Sequence, residues 1–228
     1  KTLDHVISNW SYSRLSVFEQ CPKRYYYANI KKVPTPQHPA AERGTNIHLD
    51  AENYIKGEAP LVKSLSMFEL GFEELRQGYK DGNVFVEEDW AFDINWLPSS
   101  WQDKATWCKY KIDAYVKKPE KSIVIDFKTG RYAGNEESHE AQCALYACAT
   151  YFRDTAVKDI QAELWYLDHG KISRYRYTVE DIKQRRDEFH SRALKLTEAT
   201  EFPAKASVKN CKWCHFGKIG MCNEYRSI

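Results

Sequence analysis

Apolar residues in the first third of the chain recur with helical spacing. Residues 13–28 place Leu15, Phe18 and Tyr25 on one face behind Ser13, which predicts a helix capped by that serine. A second helical stretch runs from Arg43 to Lys56 and stops at Gly57. A third covers 65–80, with Met67, Leu70, Gly71 and Leu75 roughly aligned, and ends at the Asp-Gly-Asn of 81–83. The segment KKVPTPQHPA at 31–40 carries three prolines and reads as a connection or lid.

From residue 84 the period changes to two. Val84–Ile94 and Thr106–Lys117 alternate apolar and polar positions as strands do, with LPSSWQD looping between them, and Lys121–Lys128 is a short apolar strand. A helix over Glu137–Phe152, strands over Ile160–Leu167 and Ile172–Thr178 around an Asp-His-Gly turn, and a long charged helix over Val179–Thr200 complete the pattern. This order predicts an α/β fold, a mixed central sheet with one crossover, flanked by helices. The chain is expected to form a single domain over 1–228. Within it, 1–83 is a helical N-terminal section, 84–200 the α/β core and 201–228 a cysteine-rich tail.

Composition narrows the class. The chain has 228 residues, 43% of them hydrophobic and 14% aromatic, which excludes a disordered tail, a collagen-like repeat or a coiled-coil rod. No apolar run approaches the roughly 20 residues that cross a bilayer, and KTLDHVISNW has no apolar leader core. The expectation is a cytoplasmic, intracellular protein of cellular or viral origin, with no membrane partner. A net charge of +2 points to no partner class by itself. Lys31-Lys32, Lys117-Lys118, Arg174 with Arg176, and Arg185-Arg186 are local basic clusters, and Tyr25-Tyr26-Tyr27 and Trp165-Tyr166 offer rings for base stacking.

Seven cysteines argue against a closed disulfide framework. Cys211, Cys214 and Cys222 crowd the tail, and Cys21 is the candidate fourth ligand of a metal site. Cys108, Cys143 and Cys148 sit in apolar patterns and read as buried thiols. A [4Fe-4S] cluster takes four thiolates. Zn2+ takes four cysteines, or three with His215 beside Cys214. Either would tie Cys21 to the tail and order it.

The stretch KIDAYVKKPEKSIVIDFKTG carries the candidate chemistry. Asp126 and Lys128 share one strand face, and a tight turn brings Asp113 beside Asp126. Two converging carboxylates call for a cation, and a hard divalent ion such as Mg2+ or Mn2+ supplies it. A lysine beside them orients a nucleophilic water or stabilises a pentacovalent phosphorus, and Gly130 ends the strand. Carboxylates, lysine and a divalent ion suit phosphodiester hydrolysis. An isolated Asp-x-Lys is also an ordinary surface ion pair.

The ordered series of motifs resembles the RecB-like branch of the PD-(D/E)XK nuclease superfamily. It is similar to the small CRISPR-adaptation exonucleases and to the nuclease domain of AddB. The series is SRLSVFEQCPKRYYY at 13–27, GTNIH at 44–48, YKID at 110–113, IDFKTG at 125–130, QCALY at 142–146 and the closing cysteines. Tyr110 stands where the family usually has glycine. The resemblance implies a restriction-endonuclease-like fold. It implies a divalent ion held by His48, Asp113, Asp126 and the Phe127 carbonyl, with Lys128 catalytic and Gln142 and Tyr146 shaping the site. It also implies a [4Fe-4S] cluster on Cys21, Cys211, Cys214 and Cys222. Glu88 matches a strand acid more loosely, and Glu52 lies one turn beyond His48. The implied activity is a DNA nuclease using a metal-bound water, an exonuclease on single-stranded DNA or DNA ends in repair or recombination, with a helicase or recombination partner. A non-catalytic DNA-end-binding subunit is the alternative, and an RNA-directed nuclease a third.

Overall fold

The computed structural model describes residues 7–226, so most of the N-terminal KTLDHVISNW stretch lies outside the described residues. The first expected helix is split by its own sequence. A residue before proline is pushed out of the helical region, and Cys21, preceding Pro22, is extended at φ −160°. Helix α1 (Tyr12–Gln20) therefore ends at Cys21, capped at its start by Ser11 rather than Ser13. Helix α2 (Pro22–Tyr25) restarts beyond it and passes into a π-helical turn over Tyr26–Ile30.

The chain divides into two compact units, residues 1–36 with 190–228, and residues 37–189. The first unit packs the N-terminal aromatics against the tail. Tyr25 is 2% exposed and stacks on Phe202 at 6.3 Å. Tyr26 tilts over Phe202 and Tyr27 over Phe216, each at 5.4 Å. These three rings are engaged within their own unit, which corrects the expectation that they stack bases. Helices α7 (Val208–Cys211) and α8 (His215–Lys218), numbered after the elements described below, lie in the tail. The Asn210 amide donates to the Gln20 and Lys205 carbonyls at 2.9 Å each. Tyr27 donates to the Met221 carbonyl at 2.6 Å, and Lys23 pairs with Glu224 at 3.0 Å. Packing and hydrogen bonds thus join the N-terminal segment to the tail.

The second unit holds a six-stranded mixed sheet flanked by helices, a restriction-endonuclease-like α/β architecture. Helix α3 (Pro39–Lys56) begins four residues before the expected Arg43, because Pro39 fits the first helical position and His38 caps it. A 3-10 turn (Lys63–Phe68) leads into α4 (Glu69–Lys80). The strands are β1 (Val84–Phe92), β2 (Pro98–Ser99), β3 (Cys108–Lys117), β4 (Lys121–Lys128), β5 (Asp159–Tyr166) and β6 (Lys171–Tyr177), ordered β2-β1-β3-β4-β5-β6. The two-residue β2 lies inside the expected loop. Only β4 and β5 run parallel, because α5 (Glu136–Arg153) carries the crossover. Helix α6 (Val179–Thr197) follows β6.

One sheet face packs Ile47, Tyr54, Ile55, Phe72 and Leu75 of α3 and α4 against Val84, Val86, Ala114, Ile125, Phe127 and Trp165. A Cβ at Gly71 would lie 2.7 Å from the Trp165 ring, so only glycine lets α4 settle this close. The other face receives α5, whose residues Cys143–Thr150 are all buried. No helix among the described residues is long and apolar enough to cross a membrane.

Candidate active site

The β3–β4 hairpin sets the geometry. Extending its Ala114↔Ile125 register by one residue puts Asp113 opposite Asp126. The Phe127 backbone N–H donates to Asp113 Oδ2 at 2.7 Å, which fixes that carboxylate against the next strand. Helix α3 delivers His48, whose Nε2 lies 2.8 Å from the Phe127 carbonyl. A carbonyl only accepts, so Nε2 carries the proton and Nδ1 is left facing Asp113 Oδ1 at 3.3 Å. Burial alone pulls the His48 pKa down. The hydrogen bond and charge of Asp113, with the charge of Asp126, outweigh it and raise the value to about 9. Burial and the Asp126 charge push the Asp113 carboxyl up, against the opposing pull of His48.

Asp126 and Lys128 turn to α5. The Lys128 ammonium sits 2.7 Å from Asp126 Oδ2 and donates to Gln142 Oε1 at 2.6 Å. Gln142 donates to the Tyr146 hydroxyl at 2.8 Å, and that hydroxyl donates to Asp126 Oδ1 at 3.1 Å. Burial lowers the Lys128 pKa, but the Asp126 charge outweighs it and the net direction is up, so the ammonium stays charged. Asp126 Oδ2 is fully enclosed. Its close approach to the ammonium is not aligned as a hydrogen bond, and it has no other partner.

The acid that joins His48 and Asp113 is Glu87, which the sequence did not single out. One nitrogen of His48 and one carboxylate oxygen each from Glu87 and Asp113 lie within 4.8 Å of one another. Glu87 sits across from Asp113, between the pairs Val86↔Ala114 and Glu88↔Ile112. Its φ is +51°, and this left-handed residue turns the strand over. Val86 packs under α3 and α4, whereas Glu88 and Trp90 both meet Arg153 of α5, Glu88 at 3.7 Å. Glu88 is thereby corrected from a site acid to the partner of Arg153. Burial and the charges of Asp113 and Glu52 raise the Glu87 pKa. Glu52 itself pairs with Lys56 at 2.5 Å. Asp126 stands outside the three-residue group, its carboxylate neutralised by Lys128.

His48, Glu87 and Asp113 offer one imidazole nitrogen and two carboxylates, a donor set that fits a hard divalent cation. On α5, His139 precedes Gln142 by three residues, and its Nδ1 lies 2.8 Å from the Tyr166 hydroxyl.

The family model of the PD-(D/E)XK nuclease superfamily matches residues 9–110 and 109–219. The chain belongs to this superfamily. PD-(D/E)XK nucleases depend on divalent metals, in keeping with the donor set above. No curated protein matches the chain by sequence. The crystal structure of SSO0001 is similar over 99% of this chain and 90% of its own, with 18% identity and a TM-score of 0.54. A provisionally named exonuclease from Eubacterium rectale is similar over 97% and 89%, with 12% identity and a TM-score of 0.55. These likenesses show a shared fold.

In the other unit, Cys21, Cys211, Cys214 and Cys222 line one narrow cavity together with Lys23, Arg24 and Lys205. The Lys205 N–H points at Cys21 Sγ over 3.4 Å. Among the described residues, no three of these sulfurs lie within 4.8 Å of one another. His215 is not among the lining residues.

Proposed function

We propose that this PD-(D/E)XK chain is a deoxyribonuclease that works as an exonuclease on single-stranded DNA or DNA ends. The observation that carries the reading is the meeting of His48, Glu87 and Asp113 beside the Asp126–Lys128 pair. The exonuclease name of the Eubacterium rectale relative adds the expectation of end-directed action.

His48, Glu87 and Asp113 would hold a divalent ion, which would supply the positive charge that acidifies water and neutralises the scissile phosphate. The chain's own groups do the positioning. The His48 Nε2–H bond to Phe127 leaves Nδ1 as the liganding atom. Lys128, fixed from two sides by Asp126 and Gln142, holds a permanent ammonium where charge develops on the phosphate. Tyr146 and Gln142 keep Asp126 and Lys128 in register with each other.

Digestion of end-labelled single- and double-stranded DNA with Mg2+ or Mn2+ tests the reading, alongside Asp126→Ala and Lys128→Ala. Each substitution is expected to slow cleavage by roughly 10²–10³-fold. Wild-type protein that leaves both DNAs intact with either metal overturns it, and cleavage of RNA alone redirects it.

Cys21 and the three tail cysteines are read as holding a [4Fe-4S] cluster rather than Zn2+. The basic rim of Lys23, Arg24 and Lys205 suits an anionic cluster, and the Lys205 amide suits a thiolate acceptor. Protein purified without air is expected to be brown; a colourless protein with stoichiometric zinc decides for the other metal.

A further inference from the structure

Most of the groups that the sequence offered for gripping a strand are already engaged. Arg174 pairs with Glu163, Arg176 with Asp159, Arg185 with Glu140 and Lys117 with Asp154. Tyr25, Tyr26 and Tyr27 pack on Phe202 and Phe216, and Trp165 and Tyr166 are buried. The charge is unevenly divided as well. Residues 1–36 and 190–228 hold 13 Lys and Arg against 5 Asp and Glu, whereas residues 37–189, which contain the candidate active site, hold 21 against 27. A chain of near-zero net charge is thus a basic unit joined to an acidic one, and such asymmetry marks the basic part as the polyanion-binding part.

Trp213 stands on the basic unit, in the turn between Cys211 and Cys214. The residue is 74% exposed, an unusual state for the largest apolar side chain. The Lys212 and Lys218 ammonium groups lie 5.4 and 5.2 Å from the ring centre. Among the described residues neither lysine has a carboxylate within ion-pair distance. The turn beneath is held by backbone bonds from Cys214 to Cys211 and from Lys212 to Val208, at 3.0 and 3.1 Å.

We propose that the Trp213 turn is a stacking post for single-stranded DNA, a nucleobase lying on the indole while Lys212 and Lys218 move onto the flanking phosphates. An unpaired strand presents the π-face the indole needs, which duplex stacking hides. The two ammonium groups beside the ring, with no carboxylate at ion-pair distance among the described residues, suit anionic phosphates better than a neutral protein surface. The proposal rests on the DNA nuclease reading and assigns binding to a unit separate from the chemistry.

Fluorescence anisotropy of a labelled oligothymidine of about 20 nucleotides tests it, without divalent ions and in the full-length Asp126→Ala background, so that binding is read apart from cleavage. Adding Trp213→Ala is expected to weaken affinity roughly 5- to 150-fold, while Trp213→Phe retains most of it. Adding Lys212→Gln with Lys218→Gln is expected to flatten the dependence of log Kd on log salt by about 1.4. Unchanged affinity and salt slope across these variants overturn the proposal, as does a parent chain that does not bind the strand. If wild type digests DNA while Trp213→Ala binds normally, the stacking post fails and the nuclease reading stands. If wild type never digests DNA but binding depends on Trp213, only the nuclease reading fails. Preference for an acidic peptide over the oligonucleotide also overturns the post.

Discussion

Arg43 and Asp168 form a two-point ion pair, 2.8 and 2.6 Å, between the first turns of α3 and the β5–β6 turn. The same carboxylate accepts the Gly130 N–H at 2.8 Å, and His169 bonds the Gly130 carbonyl at 2.6 Å. Gly130 makes this loop possible with φ +84°. One acid therefore ties the helix that carries His48 to the end of the strand that carries Asp126 and Lys128.

Replacing Asp168 by Asn is expected to loosen that tie. Arg43 is half exposed, so the stability loss is small, about 0.5–1 kcal/mol at neutral pH. The hydrogen bond and charge of Arg43 lower the Asp168 pKa to about 2, against about 4 when unfolded. The carboxylate stabilises the fold above pH 4 and ceases to do so as pH falls through 2. Urea unfolding of both proteins across that range checks it: the gap between them is expected to close at the acid end.

Glu87 and its neighbour separate the two faces of β1. Glu87→Gln is expected to raise the Mn2+ concentration needed for half-maximal cleavage by about tenfold or more. Glu88→Gln is expected to leave that concentration unchanged. Equal responses to metal titration would remove Glu87 from the ligand set.

Cys21→Ser is expected to abolish iron binding and lower the melting temperature, because it removes one of four thiols around the tail cavity. Cleavage by residues 37–189 is expected to persist below the new transition. Iron analysis and calorimetry on anaerobically purified protein read both effects; unchanged metal content and melting temperature would dissolve the link between Cys21 and the tail.

Gly71→Ala drives a methyl group into the Trp165 ring, which cannot retreat because Phe68 stacks on it at 5.3 Å. The expected cost is about 1–3 kcal/mol of stability, read by denaturant unfolding, with metal dependence unaffected.

The sheet was legible where local pattern decides it. Period-two alternation located β3, a short apolar run located β4, the strand–helix–strand order gave the one crossover, and the spacing of Asp126 and Lys128 placed both on one face. The split at Cys21 was written in Pro22, but the apolar spacing across it read as continuous helix. Glu87 was hidden because alternation assumes an unbroken strand, and one left-handed residue moves Glu88 to the far face. The basic clusters looked free because their partners, such as Glu163 for Arg174 and Glu140 for Arg185, come from other elements. The exposure of Trp213 likewise depends on which aromatics the tail takes inward, and no local pattern records that choice.

The unit built from residues 1–36 and 190–228 has a consequence for biosynthesis. During translation its first segment emerges long before its second, separated by the whole of residues 37–189. A nascent chain thus carries Cys21 and its aromatic neighbours unpartnered while the acidic, catalytic segment acquires its shape, and the loop to be closed is long. The basic surface is then the last part to mature, so a ribosome-bound fragment ending near residue 189 has His48, Glu87 and Asp113 of the candidate site but lacks the completed basic unit.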